Sequence, residues 1–225
     1  MGILTRIKSI MYRAARKFIV VNKSQFFAVD GFSDVACASD LSETYQFVLF
    51  DDADRMSAKT AAFVGEDLLY LLDGKNCMCT VALEDDHPIA FAWWAFGEIP
   101  AEMNHDGHPS TGLPLVMPPD MAYLFNVYVR PEYRGQRLYP NLVRHSEQTL
   151  DVKGIRRITL ATEYENRPAM RSVKRMGFYP IGASHLVKLP GWAWAKYPVS
   201  PMENGVQIGR YVGDAKRTVT EQKRQ

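Results

Sequence analysis

The sequence has little cysteine and no long apolar run. Its 225 residues include three cysteines, Cys37, Cys77 and Cys79. This is an odd number without the spacing of a zinc site, so it indicates a reducing compartment rather than a disulfide-bonded secreted domain. No apolar run reaches the roughly 20 residues that a membrane-spanning helix needs, and no signal-peptide pattern follows the start. We therefore expect a cytoplasmic protein that is neither secreted nor transmembrane.

The sequence also lacks a basic central segment and a set of metal ligands. Residues 1–18 hold five basic residues and no acidic one, and residues 210–225 hold five basic against two acidic, so the segment between them is acidic. An acidic body repels phosphate backbones, and we expect no nucleic-acid partner. His105 and His108 flank Asp106, but no fourth ligand follows at a useful spacing, and we expect no metal.

Apolar residues recur three and four positions apart in residues 1–18, which predicts an amphipathic helix. The pattern favours a helix that packs on the domain or on a second copy of the chain, as in a homodimer. The open alternative is a helix on an anionic membrane surface, which would place the protein peripherally at the inner membrane.

The rest of the chain divides into three further regions. Residues 19–41 are β-branched and aromatic and predict a strand or hairpin arm, and residues 42–190 form the main domain. Within that domain, residues 44–50 predict a strand followed by two short helices, and residues 78–96 predict a hairpin that turns at Asp85 and Asp86. Residues 191–225 are a C-terminal extension whose end, 213–225, has the composition of a disordered segment.

The stretch that carries the clearest chemistry begins at Met121. Alternation predicts a strand with Tyr123, Phe125, Val127 and Val129 on one face, and Pro131 ends its pairing. The sequence then reads Arg134-Gly135-Gln136-Arg137 before an apolar-periodic helix begins. A basic, glycine-bearing turn at a helix N-terminus is typical of a phosphate site.

A second strand and helix follow this stretch. Residues 156–161 predict the strand, and Asn166-Arg167-Pro168-Ala169 predicts the start of a helix that Gly177 ends. The segment Val129-Arg130-Pro131-Glu132-Tyr133-Arg134-Gly135, together with Asn166-Arg167-Pro168-Ala169 and Met176-Gly177-Phe178, resembles the GNAT superfamily of acyl-CoA N-acyltransferases. The resemblance covers residues 42–190.

The resemblance implies a mixed α+β fold. Its central sheet is mostly antiparallel and twisted, contains one parallel, splayed strand pair and is flanked by helices; the amphipathic helix at residues 1–18 adds to it. The resemblance also implies transfer of an acetyl or other acyl group from acetyl-CoA or another acyl-CoA to the primary amine of a small molecule, such as an amino sugar or an amino acid.

The family's cofactor contacts transfer to matching positions of this sequence. The pantetheine arm would pair, as an added strand, with the backbone of Val127, Tyr128 and Val129. The diphosphate would be enclosed by the basic turn, which comprises Arg134, Gly135, Gln136, Arg137, Leu138 and Tyr139. Asn166, at the end of the neighbouring strand, would contact the pantetheine.

The sequence departs from the family pattern at four positions. Arg137 and Tyr139 stand where the phosphate loop usually has glycines, Tyr123 stands where histone-type members have a glutamate base, and Val173 replaces a tyrosine acid. The candidates that remain for acid or base chemistry are Tyr123, Asn126, Glu163 and Ser172.

These departures leave two alternatives open. One is a long-chain N-acyl amino acid synthase that draws its acyl group from an acyl carrier protein. The other is a non-catalytic member that binds acyl-CoA at a membrane or partner. The acceptor is also open, because an amino sugar, an amino acid and a protein N-terminus all carry a suitable amine.

Overall fold

The computed structural model describes residues 20–31, 35, 41–73, 76–104, 112–189, 192–196 and 205–208. The helix predicted over residues 1–18 and the disorder predicted over 213–225 lie outside these residues, as do Cys37, His105 and His108.

The described part of the chain folds into strands and helices in the order that the sequence predicts for its middle. The strands are β1 (Val20–Asp30), β2 (Gln46–Phe50), β3 (Cys77–Glu84), β4 (His87–Phe96), β5 (Glu98–Ile99), β6 (Leu115–Val116), β7 (Met121–Val129), β8 (Arg157–Glu163), β9 (Tyr179–Leu189), β10 (Trp192–Lys196) and β11 (Gln207–Ile208). The α-helices are α1 (Ala58–Val64), α2 (Tyr70–Asp73), α3 (Leu138–Val152) and α4 (Arg167–Arg175), with 3-10 turns at Ala53–Arg55, Glu66–Leu68, Ala101–Met103 and Pro131–Tyr133.

Eight strands form one sheet in the order β10-β9-β1-β8-β7-β4-β3-β2, and β11-β6-β5 form a second, small sheet. All pairs in the large sheet are antiparallel except β7 and β8, which run parallel. The predicted mixed α+β fold with one parallel pair is confirmed.

Strand β1 lies inside the large sheet, between β8 and β9, and pairs with both. Phe26 and Phe27 are fully buried although they point to opposite faces, because each face of the sheet has its own core. A strand that is apolar on both sides is stable only when both faces are covered. The boundary predicted at residue 41 therefore does not separate β1 from the main domain. The second strand of the C-terminal hairpin, β10, lies beyond residue 190.

The two faces of the sheet are covered by different helices. Trp94 belongs to the same buried cluster as Leu142 of α3 and Val173 of α4, whereas Trp93 belongs to the cluster on the other face, with Val64 of α1. Both tryptophans are fully buried, as expected for adjacent strand residues in a two-sided core. Strands β3 and β4 form the predicted hairpin around Asp85 and Asp86 (φ 47° and 61°).

Strand β7 contains a bulge that changes which residues share a face. Phe125 lies opposite Trp93 and Tyr128 opposite Phe91, so Asn126 and Val127 together lie opposite Ala92 alone. Asn126 has the left-handed φ of 46° that such an inserted residue often adopts.

The bulge overturns the prediction of a single apolar face. Tyr123 and Phe125 belong to the core beneath α1 and α2, but Val127 and Val129 pack against the core beneath α3 and α4. The prediction is wrong because one extra residue shifts the alternation by half a period from that point onward.

Helices α3 and α4 begin where the sequence predicts, whereas the start of α1 at Ser57 was not predicted. The side chain of Ser57 accepts the N–H of Thr60 at the start of α1 (3.2 Å), and Gly177 (φ 93°) follows the end of α4. Leu138, Leu142 and Leu150 of α3 are buried. Among the described residues, no helix is long and apolar enough to cross a membrane.

Candidate functional site

The parallel strands β7 and β8 pair over a short length and then separate. Residues 121–124 pair with residues 157–160, while β7 continues to Val129 and β8 to Glu163. The bulge at Asn126 begins one residue after the separation starts. Among the described strands, none pairs with the edge of β7 at residues 125–129 that faces this gap. An extended ligand can add to such an edge as a further strand.

At the far end of β7, the chain forms a turn that leads into the 15-residue helix α3. Gly135 (φ 84°) and Arg137 (φ 62°) adopt left-handed backbone conformations in this turn, and no side chain caps the helix. Among the described residues, no acceptor is found for the backbone N–H groups of residues 135–139. Unpaired N–H groups at a helix N-terminus, together with the helix dipole, favour an anion.

The two arginines of the turn differ in their surroundings. Arg134 Nε donates a hydrogen bond to the carbonyl oxygen of Val129 (3.1 Å), which joins the turn to the end of β7. Arg137 is exposed, and its guanidinium has no partner among the described residues. A free guanidinium beside unpaired N–H groups fits the charge and the oxygen geometry of a diphosphate.

The other predicted residues of the turn have structural contacts. The side chain of Gln136 accepts a hydrogen bond from the hydroxyl of Tyr45 (2.5 Å), and Leu138 is buried in the core. Tyr139 is half-buried, and burial raises its pKa well above the ordinary value. These side chains hold the turn, and its backbone remains available to a ligand.

Tyr123 lies where β7 and β8 begin to separate and is almost completely buried. Its hydroxyl donates a hydrogen bond to Asn104 Oδ1 (2.6 Å). Burial raises the pKa of Tyr123 strongly; a backbone hydrogen bond at Ala161 opposes this shift, and nearby Tyr139 adds to it. A neutral phenol of this kind donates a hydrogen bond but does not accept a proton at neutral pH.

Asn104 also belongs to this site, although the sequence does not mark it. It lies in the irregular segment after the 3-10 turn Ala101–Met103, where no periodicity or motif marks a single asparagine. Only the contact with Tyr123 shows that this segment reaches the gap.

The other three acid or base candidates lie at different places around the gap. Asn126 is exposed at the bulge of β7, and Glu163 is half-buried at the end of β8, opposite Ser24 of β1. Ser172 is half-buried in α4, next to the core residue Val173. Asn126 and Glu163 are thus on the two walls of the gap, and Ser172 is on the helix beyond it.

Asn166, the predicted pantetheine contact, begins α4. Its Oδ1 accepts the N–H of Ala169 (3.2 Å), so this oxygen serves as the helix cap. The contact of Asn166 with pantetheine stays a prediction. It would involve polar groups of Asn166 other than Oδ1.

The acidic residues after β2 stabilise their own turn. Asp51 forms an ion pair with Arg55 (3.0 Å), and Asp52 accepts the N–H of Asp54 (2.9 Å). Their role is therefore to begin the 3-10 turn Ala53–Arg55. Within the described ranges, no group of three or more His, Cys, Asp or Glu side chains has the arrangement of a metal site.

The sequence and the fold are similar to those of known proteins. Residues 39–178 match the model of the acetyltransferase (GNAT) family. A protein of Bacillus subtilis (strain 168), named as a candidate ribosomal protein bS18-alanine N-acetyltransferase, is 37% identical over 79 residues, which are 34% of this chain and 51% of that protein. The chain thus matches about half the length of this curated relative.

Solved structures are similar at lower identity. A GCN5-related N-acetyltransferase from Kribbella flavida has 16% identity and a TM-score of 0.51, covering 81% of this chain and 64% of its own. A candidate GNAT acetyltransferase from Novosphingobium aromaticivorans has 18% identity and a TM-score of 0.45, covering 73% and 62%. At 16% identity, the likeness to the Kribbella flavida structure concerns the fold alone. Because the family model matches more than half of the sequence, the chain belongs to the acetyltransferase (GNAT) family.

Proposed function

We propose that the protein transfers an acetyl group from acetyl-CoA to the primary amine of a small molecule, such as an amino sugar or an amino acid. The observation that supports this most directly is the position of the gap relative to the turn. The free edge of β7 at residues 125–129 leads straight into the unpaired N–H groups of residues 135–139. One elongated ligand with a peptide-like arm and a diphosphate matches both features.

The edge of β7 and the turn before α3 would bind coenzyme A in one orientation. The amide-containing pantetheine arm would add to the edge of β7, and the diphosphate would bind the N-terminus of α3 and the guanidinium of Arg137. The thioester would then lie in the gap, near Asn126 and the beginning of the strand separation.

The reaction needs a nucleophile, an oxyanion site and the departure of a thiolate. The neutral amine attacks the thioester carbonyl carbon and forms the C–N bond, the C–S bond breaks, and the nitrogen loses a proton while coenzyme A leaves as a thiolate that takes up a proton. Backbone N–H groups on the free edge of β7 are suited to stabilise the oxyanion. Holding both reactants in the gap supplies much of the rate enhancement.

Among the four candidates for proton transfer, Glu163 fits the role of base best. The raised pKa of Tyr123 keeps its phenol neutral, and the side chains of Asn126 and Ser172 do not titrate near neutral pH. Glu163 would accept the amine proton directly or through a water molecule.

A second candidate acceptor is the N-terminal amine of a protein. The relative from Bacillus subtilis, whose name specifies an alanine of a ribosomal protein, favours this acceptor. The chemistry at the thioester is the same for both acceptors, and they differ in the groups that surround the amine.

The test is the release of thiol from acetyl-CoA in the presence of amino sugars, amino acids and short peptides with N-terminal alanine. We expect release with an amino sugar or an amino acid, and release with peptides alone would favour the second candidate. The same assay with a long-chain acyl carrier protein as donor tests the synthase alternative, which a preference for that donor would favour. Binding of acetyl-CoA without thiol release from any amine would contradict the proposed activity and favour a non-catalytic member.

A further inference from the structure

The turn before α3 has a shape that its own residues do not favour. Arg137 has a left-handed φ of 62°, which costs a residue with a side chain roughly 1 kcal/mol relative to glycine. The turn is also exposed, so burial of its side chains does not hold it in place. Other contacts must therefore hold the backbone of the turn in this conformation.

The first such contact comes from the residue before β2. Tyr45 is buried in the core beneath α3, with 7% of its surface exposed, and its hydroxyl donates to Gln136 Oε1 (2.5 Å). Its ring also meets the ring of Tyr133 edge-on, with centroids 6.3 Å apart. A rigid side chain thus reaches from the core to the middle of the turn.

The second contact passes through Asn141, which is fully buried in α3. Its Nδ2 donates to the carbonyl oxygen of Arg137 (3.0 Å), and its Oδ1 accepts the backbone N–H of Leu41 (3.3 Å). The strained residue is thereby tied to the same short segment that carries Tyr45.

We infer that residues 41–45, which we call the brace, hold the turn in the shape that binds a diphosphate, and that Tyr45 is a positioning residue for the acyl donor. This inference rests on the proposed function. Glycines would allow the turn to adopt this conformation because their backbone is flexible. The brace instead holds the turn in this conformation through hydrogen bonds. It fixes the N–H groups before the ligand arrives, so less ordering accompanies binding.

The test compares two variants that each lose one tyrosine hydroxyl. Tyr45→Phe removes the bond to Gln136 and leaves the buried ring. Tyr179→Phe is the matched control, because the Tyr179 hydroxyl donates to Asp30 (2.7 Å) at the β1–β9 side of the sheet. The ligands are acetyl-CoA, measured by calorimetry, and S-acetylpantetheine, which lacks the diphosphate, measured by NMR titration at millimolar concentration.

We expect Tyr45→Phe to weaken acetyl-CoA binding about tenfold, the effect of one hydrogen bond at the upper end of its usual range. Binding of S-acetylpantetheine should not change, and Tyr179→Phe should bind both ligands as the unmodified protein does. Equal weakening of both ligands by Tyr45→Phe, or no change in either, would overturn the role of the brace. If the unmodified protein did not bind acetyl-CoA, the proposed function itself would fail, and this inference with it.

Discussion

The hydroxyl of Tyr123 donates a hydrogen bond to Asn104 Oδ1 across 2.6 Å, which joins strand β7 to the segment after β5. Asn104 in turn donates from Nδ2 to the carbonyl oxygen of Leu113 (2.9 Å), and the N–H of Leu113 donates to the carbonyl oxygen of Asn104 (3.0 Å). Asn104 and Leu113 are thus joined to each other and, through Asn104, to β7 near the point where β7 and β8 separate.

We predict that Tyr123→Phe will raise the KM for the amine several-fold, because the segment that reaches the gap loses its bond to β7 while the diphosphate turn is unaffected. The Kd for acetyl-CoA should remain within about twofold of the unmodified value. Steady-state kinetics and calorimetry measure the two quantities. A loss of acetyl-CoA affinity with an unchanged amine KM would show that Tyr123 acts on the donor instead.

Replacement of Glu163 by Gln tests the assignment of the base. We expect kcat to fall by roughly 100-fold, the lower end of the effect of a general base. Steady-state kinetics of the unmodified enzyme and of the variant measure this fall in kcat. Turnover that is unchanged across the pH range would remove Glu163 from the mechanism.

Three variants of Arg137 separate the effect of its backbone conformation on stability from the effect of its charge on acetyl-CoA binding. Arg137→Gly should be more stable than Arg137→Ala by about 1 kcal/mol, because glycine adopts the left-handed conformation without strain. Both should bind acetyl-CoA about tenfold more weakly at low salt. Arg137→Lys should retain part of the affinity and its salt dependence.

Thermal unfolding and calorimetry at two salt concentrations measure these differences. If Arg137→Gly and Arg137→Ala bound acetyl-CoA as tightly as the unmodified protein at low salt, the guanidinium would have no part in diphosphate binding. Equal stability of the two variants would contradict the strain at this position.

The buried thiols of β3 provide a test of the core beneath α1 and α2. Burial raises the pKa of Cys77 to about 11, and that of Cys79 further. The folded protein should therefore react with a disulfide reagent at no more than one thiol at about pH 8, whereas all three should react in denaturant. Rapid reaction of two thiols in the folded protein would contradict this burial.

The same pKa shift predicts a loss of stability at alkaline pH. An unfolded chain releases the Cys77 proton near its ordinary pKa of about 8.5, but the folded chain retains it until about 11. Between these values the unfolded state binds fewer protons, so the free energy of unfolding falls as the pH rises. Thermal unfolding between about pH 8 and pH 11 measures this fall.

Local patterns were sufficient to predict much of this fold. The strand, the Arg134-Gly135 turn and the helix that follows are encoded within residues 121–152, and both walls of the gap follow from two such units. A hairpin around Asp85 and Asp86 is equally local, since the turn residues and the flanking apolar runs lie side by side.

What the sequence did not predict depends on contacts between distant segments. The bulge at Asn126 is defined by the register with β4, so alternation alone places Val127 and Val129 on the wrong face. The sequence predicts β1 as a separate arm because its partners, β8 and β9, come more than 125 residues later. Asn104 is identified only by its contact with Tyr123, and the brace only by its bonds to the turn.

In the proposed complex, acetyl-CoA lies along the edge of β7 with its diphosphate at the start of α3. Amide hydrogen exchange with and without acetyl-CoA tests this directly, because the N–H groups of residues 135–139 have no acceptor among the described residues and should exchange fast in the free protein. We predict slower exchange in the complex at residues 135–139 and 125–129. Binding that leaves exchange in both segments unchanged would show that acetyl-CoA does not lie along β7 and the turn.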